Sequence, residues 1–312
     1  MPALAMIRHA GGRHGESTPL QVNRLHPVFA AELIGADLAL PPDSALVDLV
    51  ERAMRDYGIL VIRDQGHVGD DEHIRFSQAF GPLELPPSFG KPPTRFRAEL
   101  YDASNLDENG EIAPADSLRH KFSKGNELFH SDSSFNDKPT KWSLLFCHVP
   151  APERGNTEFV DGRAVYAALP EAMKLRLDGL TAEHNFWVSR ERGGYPQPDA
   201  VKAFKPAVQP VVRTSESGAK TLFVGAHLHR FAGMDEAESE ALLYELLDFA
   251  SQPQFVYAHQ WRQGDLVIWD NRCTLHRAMP FDYLNHKRDL RRTTISDPRL
   301  VQASTEEVAV TA

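Results

Sequence analysis

Hydrophobic positions along this chain follow two rhythms, one of helical spacing in a few places and one of short strands almost everywhere else. Leu46, Leu49, Val50, Ala53, Met54 and Tyr57 recur at helical spacing, with Asp43 or Ser44 placed to cap the first turn and Gly58 to stop the last. A second, shorter helix is expected over roughly Asp70 to Phe80, ending at Gly81-Pro82. The stretch from Gly162 to Leu177 predicts a helical pair whose second member opens at Pro170, and Asp235 to Ala250 carries a stripe of Leu242, Leu243, Leu246, Leu247 and Ala250.

Between these lie short apolar or alternating runs: ILVIR (59–63), AELYDASNL, KWSLLFCHV (141–149), TEFVD (157–161), TAEHNFWV, AVQPVVRT, KTLFVGAHL, QFVYAHQW, DLVIWD and RDLRRTTIS. Proline clusters in ELPPSFGKPPTRF, which reads as a long ordered loop or lid, and a Gly/Pro-rich loop is expected from Ser189 to Pro206. Many short strands, with helices at the start and as insertions, predict a mainly β protein: a jelly-roll sandwich with helical decoration. Residues 1–20 read as a flexible N-terminal tail, 21–297 as one domain and 298–312 as a flexible C-terminal tail.

Composition narrows the partners. The chain has 312 residues, 42% of them hydrophobic, and a formal net charge of −9, which argues against a nucleic-acid or anionic-membrane surface. Against that background the cations at 287–292 stand out and suggest one small anionic ligand. The two cysteines, Cys147 and Cys273, form no CxxC and read as free thiols in a reducing compartment. No apolar run approaches the ~20 residues that span a bilayer, and the N-terminus lacks the apolar core of a signal peptide. A cytoplasmic location is expected.

The chemistry is concentrated in three stretches. FHSDSSF holds His130 and Asp132 two residues apart; with 14 histidines in the chain, one such tripeptide is expected by chance, and alone it stays open between a metal site and a solvated loop. GDLVIWDNRCTLHRA adds His276 after a strand-like run and a turn-like Asp270-Asn271. Two histidines and one carboxylate with no thiolate fit the facial triad of non-heme Fe(II), and His130 and Asp132 would share a face if their segment is extended. In KRDLRRTTI, Arg288, Leu290 and Arg292 share one face of a strand, two guanidiniums suited to carboxylates, while Arg291 takes the outer face. His227-x-His229 with His259 is a competing set that could imitate a zinc site.

From about His26 to Ile295 the chain resembles the Fe(II)/2-oxoglutarate-dependent dioxygenases of the taurine dioxygenase family, and within it the enzymes acting on phenoxyacetates. The words that carry the likeness are FGPLE, HSDSSF, TEFVDGR with the AVYAALP that follows it, FVYAHQW, GDLVIWDNRCTLHR and RDLRR. The resemblance implies a double-stranded β-helix, a distorted jelly roll. It makes His130, Asp132 and His276 ligands of Fe(2+), with 2-oxoglutarate and O2 as co-substrates. It implies that Thr157 and Arg288 hold the far carboxylate of 2-oxoglutarate and that Arg292 meets the anionic group of the substrate. Trp269 is placed close to the iron, and Lys91 at a second contact to the substrate carboxylate. The implied reaction is hydroxylation of a small anionic compound, an aryloxyalkanoate such as 2,4-dichlorophenoxyacetate, with ether cleavage to a phenol and a 2-oxo acid, by a homo-oligomer. Taurine, an alkylsulfonate or a sulfate ester is the alternative substrate; a non-catalytic anion-binding protein and a zinc hydrolase on the competing histidines rank below. One departure is Ser215, in RTSESG, where relatives often carry histidine.

Overall fold

The computed structural model describes residues 18–85, 95–138, 140–195 and 205–297. Its first helix, Ser44–Tyr57, begins where the Asp43 side chain accepts the Leu46 N–H, and it ends at Gly58 in the left-handed region. Its apolar stripe packs on one face of a seven-stranded sheet, against Leu60, Ile62, Trp142, Leu144, Phe146 and Ile268. In order across the sheet, the strands are Gln21–Arg24, Ala31–Ile34, Ile59–Ile62, Leu266–Asp270, Thr140–Val149, Asp289–Ser296 and Tyr101–Asp102. The central strands are buried along nearly their whole length because both faces are covered, which is why they read as apolar runs and not as alternations.

A three-stranded sheet of Val256–His259, Thr157–Asp161 and Thr274–Ala278 lies across from the inner face of the first. Strand alternation divides its side chains: Phe159 turns inward to Trp269, 5.5 Å between ring centroids, whereas the adjacent Val160 packs under the helix Glu236–Ala250 with Leu242, Leu246 and Leu275. Two sheets joined through an apolar layer, decorated with helices, are the expected jelly roll.

Several expectations change. TAEHNFWV is not one strand: pairing stops at His184, and the Asn185 side chain accepts the Trp187 N–H and opens a helix, Phe186–Arg192, which also takes the start of the expected 189–206 loop. A helix, Leu118–Ser123, and a 3-10 turn, Lys124–Glu127, occupy what reads as a polar loop before FHSDSSF, with Ser117 as the cap. Of AELYDASNL only Tyr101–Asp102 forms a strand, and Leu106 makes an isolated bridge to Ile112. The strand Thr274–Ala278, which carries His276, has no apolar alternation to announce it. Residues 86–94 and 196–204, most of the first expected loop and half of the second, lie outside the described residues, as do 1–17 and 298–312 of the expected tails. Leu20 already belongs to the core.

Candidate active site

His130 and His276 are joined through their backbones. His130 N–H donates to the His276 carbonyl at 3.0 Å and His276 N–H to the His130 carbonyl at 2.8 Å, an isolated antiparallel bridge that sets the ring centroids 4.2 Å apart. Close approach of the chain at Gly225 (φ +147°) holds this bridge from behind: a Cβ there would lie 3.0 Å from the His130 Cα. His130 is therefore in a bridge and Asp132 in the turn after it, not on the extended segment expected from the sequence.

Asp132 faces both rings. Its carboxylate oxygens lie 4.0 Å from His130 Nε2 and 3.7 Å from His276 Nε2, and the three buried residues are the one group of three or more metal-binding side chains among the described residues. His130 Nδ1 donates to the Leu128 carbonyl at 2.8 Å, because a carbonyl can only accept; that leaves the Nε2 lone pair toward Asp132. Burial pushes His130 down to about 4 and His276 well below its ordinary range, so both are neutral imidazoles, the form that binds metals. Burial alone would raise Asp132, but Arg292, then His276, His130 and the Ser143 hydroxyl at 2.7 Å, together outweigh it and hold the carboxyl well below the usual range. An anionic oxygen and two neutral nitrogens are a donor set that fits Fe(II).

Asn271 organises the surroundings. Its side-chain oxygen accepts the Trp269 indole N–H at 2.9 Å and lies 3.3 Å from the Asp132 backbone N–H, its amide donates to Ser143 at 2.9 Å, and its backbone carbonyl accepts the Ser131 hydroxyl. Trp269 is thereby fixed 4.6 Å from the His276 ring.

Arg288, just before the last strand, and Arg292, within it, both turn inward, as a shared face requires. Arg288 finds only long contacts, 3.4 Å to the carbonyls of Ala103 and Gly155, and its Nε has no partner among the described residues; burial lowers it to about 10. Thr157, two residues beyond Gly155, accepts the Trp261 indole N–H at 3.0 Å. Arg292 stacks over Tyr101 and donates to Asp132 at 2.5 Å. Arg291 is not a free surface charge: it binds both oxygens of Asp70, together with Asp289, and ties the strand to the helix Asp70–Gln78.

A cavity of about 220 Å³ opens beside the cluster, its walls including His130, Asp132 and Arg292 together with Phe122, Phe135 and Phe186. Its walls include four residues that the sequence alone does not assign to the site: Glu84, Asn126, Arg190 and His227, the last of them expected only as a zinc candidate. Thr157 and Arg288 are not among its walls, and Lys91 lies outside the described residues. The competing histidines separate. His227 is buried against Ser134 and the His130 ring, a register shift after Leu228 leaves His229 half-exposed beside Glu183 and Glu236, and His259 is locked to Asp265 at 3.0 Å. Ser215 closes a surface turn with Ser217 and Ala219 and does not line the cavity.

Residues 18–294 match the model of the taurine catabolism dioxygenase TauD, TfdA family. The chain is 42% identical over 284 residues to the alpha-ketoglutarate-dependent 2,4-dichlorophenoxyacetate dioxygenase of Cupriavidus pinatubonensis, covering 89% of this chain and 98% of that protein. It is 34% identical to the (S)-phenoxypropionate/alpha-ketoglutarate-dioxygenase of Sphingobium herbicidovorans, over 85% and 91% of the two chains. The solved structure of AAD-2 with Mn(II) and N-oxalylglycine superposes with a TM-score of 0.81 at 38% identity, covering 89% of this chain and 96% of that one. A match along nearly the whole domain, converging on a buried His-Asp-His cluster, places this chain in the taurine dioxygenase family as a 2-oxoglutarate-dependent dioxygenase, a class that works with Fe(II), 2-oxoglutarate and O2.

Proposed function

We propose that His130, Asp132 and His276 hold the iron, that Thr157 and Arg288 receive the far carboxylate of 2-oxoglutarate, and that the substrate is an aryloxyalkanoate such as 2,4-dichlorophenoxyacetate. Arg292 is assigned to the substrate's anionic group, with Lys91 as a further contact. The observation that carries this reading is that two members of the His-Asp-His cluster, His130 and Asp132, line a cavity whose other walls include phenyl rings and guanidiniums. An aryl ring and a carboxylate match those walls better than the short alkyl chain of taurine or another alkylsulfonate.

Iron, when bound, couples decarboxylation of 2-oxoglutarate and consumption of O2 to attack on a C–H bond. The chain's own part is placement: the rings hold the aryl group, the guanidiniums fix the anion, and the carbon beside the ether oxygen is left facing the cluster. Hydroxylation there makes a hemiacetal. The bond from that carbon to the ether oxygen breaks, the hydroxyl proton ends on the phenol oxygen, and the carbon leaves as the carbonyl of a 2-oxo acid. Burial of Arg288 without a carboxylate partner among the described residues supports its pairing with the co-substrate.

A cytoplasmic location without nucleic-acid or membrane partners is part of the proposal, supported by the acidic charge and two free, buried cysteines, and assembly as a homo-oligomer is added on the family resemblance alone. Among the described residues no helix is long and apolar enough to cross a membrane. The test is turnover of aryloxyacetates, aryloxypropionates and alkylsulfonates with Fe(II) and 2-oxoglutarate, read as succinate and phenol. Phenol release matched to succinate is expected with the aryloxy acids; succinate release with sulfonates alone would replace the substrate assignment.

A further inference from the structure

Arg190 is a second guanidinium in the wall of the cavity, and among the described residues no carboxylate forms an ion pair with it. It is 3% exposed, on the helix Phe186–Arg192. Its plane is fixed between the rings of Phe122 and Phe186, 4.4 and 4.7 Å from their centroids. Nη1 donates to the Phe122 carbonyl at 2.8 Å and to Asn126 Oδ1 at 2.9 Å, and Nε is buried with no acceptor among the described residues. Arg292, the other guanidinium of the wall, is already paired with Asp132. A buried guanidinium satisfied only by neutral oxygens is costly unless an anion arrives to complete it.

We propose that Arg190 is a specificity-determining residue: it receives the substrate's carboxylate as a second arm beside Arg292 and makes the enzyme select aryloxy acids over neutral aryl ethers. The proposal rests on the reading above that an anionic substrate enters this cavity.

The experiment compares KM for 2,4-dichlorophenoxyacetate and for its neutral amide in the wild type, Arg190→Gln and Arg190→Lys, with KM for 2-oxoglutarate and the unfolding midpoint as controls. The wild type is expected to prefer the acid. Arg190→Gln raises KM for the acid on the order of 10- to 100-fold, the loss of a charge-assisted hydrogen bond, and leaves the amide and 2-oxoglutarate values nearly unchanged. Arg190→Lys recovers part of the loss, since it keeps the charge without the fork. Equal effects on acid and amide, or no effect on either, overturn the proposal. Should these variants not fold, Asn126→Asp neutralises Arg190 in place and must weaken the acid selectively, or the proposal falls. A wild type that turns over another anion and no aryloxy acid sinks the substrate assignment alone; the same variants, assayed with that anion against its neutral analogue, then decide the role of Arg190.

Discussion

His130 and His276, 146 positions apart in the chain, exchange two backbone hydrogen bonds, so the fold itself sets the spacing of the two segments that carry their imidazoles. Removing metal with a chelator should therefore leave far-UV circular dichroism unchanged. Adding back Mn(II) or Fe(II) should raise the unfolding free energy by mass action, about 2.7 kcal/mol at a hundredfold excess over Kd. Loss of strand signal on chelation would show that the bridge needs the ion.

Asn271 ties the Trp269 indole, the Ser143 hydroxyl and the Asp132 turn into one network behind the cluster. Asn271→Ala leaves the buried indole N–H without its acceptor, at a cost of about 1–3 kcal/mol. It also frees the orientation of Asp132, so iron affinity should fall about 10- to 100-fold. Titration of metal into the chelated variant reads this directly, and an unchanged affinity would confine Asn271 to stability.

The candidate metal ligands are legible in the sequence because two histidines and one carboxylate, drawn from two distant stretches, suit one chemistry, and Arg288 and Arg292 both turn inward as a shared face predicts. The far wall of the cavity is not. Phe186 and Arg190 share a helix face four residues apart, but Phe186 and Trp187 have β propensity and continue an apolar run, which hides the Asn185 cap that begins the helix. Asn271 in Asp-Asn reads as turn punctuation; only the fold shows that its side chain points into the core. His276 sits on a strand whose neighbours Thr274 and Arg277 break the apolar pattern, so it is legible by its company and not by its element.

The division of labour between the two arginines separates by substrate. Arg288→Lys should raise the KM for 2-oxoglutarate by about 10- to 100-fold with little change for the aryloxy acid, since a bidentate charge-assisted pair is worth about 1.5–3 kcal/mol. Arg292→Lys should act on the aryloxy acid and also lower kcat, because Arg292 touches Asp132. Initial rates with each co-substrate varied in turn test it, and equal shifts in both KM values for both variants would contradict the assignment.

Buried histidines give the metal-free protein a pH dependence of definite sign. Burial pushes His73 and His130 down to about 4 and His184 to about 3. The unfolded chain titrates near about 6.5, so between those limits the unfolded state holds more protons and stability falls as pH falls. The slope reaches about 1.4 kcal/mol per pH unit for each histidine that remains neutral when folded. The contribution is complete above about 6.5 and levels off below the folded values. Asp132 acts in a lower window, because its depressed pKa protects stability until the pH drops below the ordinary carboxylate range. Urea unfolding from about pH 4.5 to 7.5 in chelator should show the fall, and a flat profile would mean that these rings are solvated.

Gly225 tests whether the backbone bridge positions His130. Its φ of +147° is a conformation that side chains rarely adopt, and an added Cβ would meet the Phe129 carbonyl oxygen at 3.2 Å as well as the His130 Cα at 3.0 Å. The neighbouring Ala226 N–H donates to that same carbonyl at 2.8 Å, so the segment cannot retreat without giving up a buried hydrogen bond. Gly225→Ala should therefore cost about 1–3 kcal/mol of stability. The strain falls on His130, one of the proposed metal ligands, so metal affinity should drop in the variant molecules that remain folded. Gly218→Ala makes the control: it has a positive φ in a surface turn with nothing within 4 Å, and should cost stability without changing metal binding. A Gly225→Ala protein that binds metal like the wild type would show that His130 is held by its own strand contacts and not by the chain behind it.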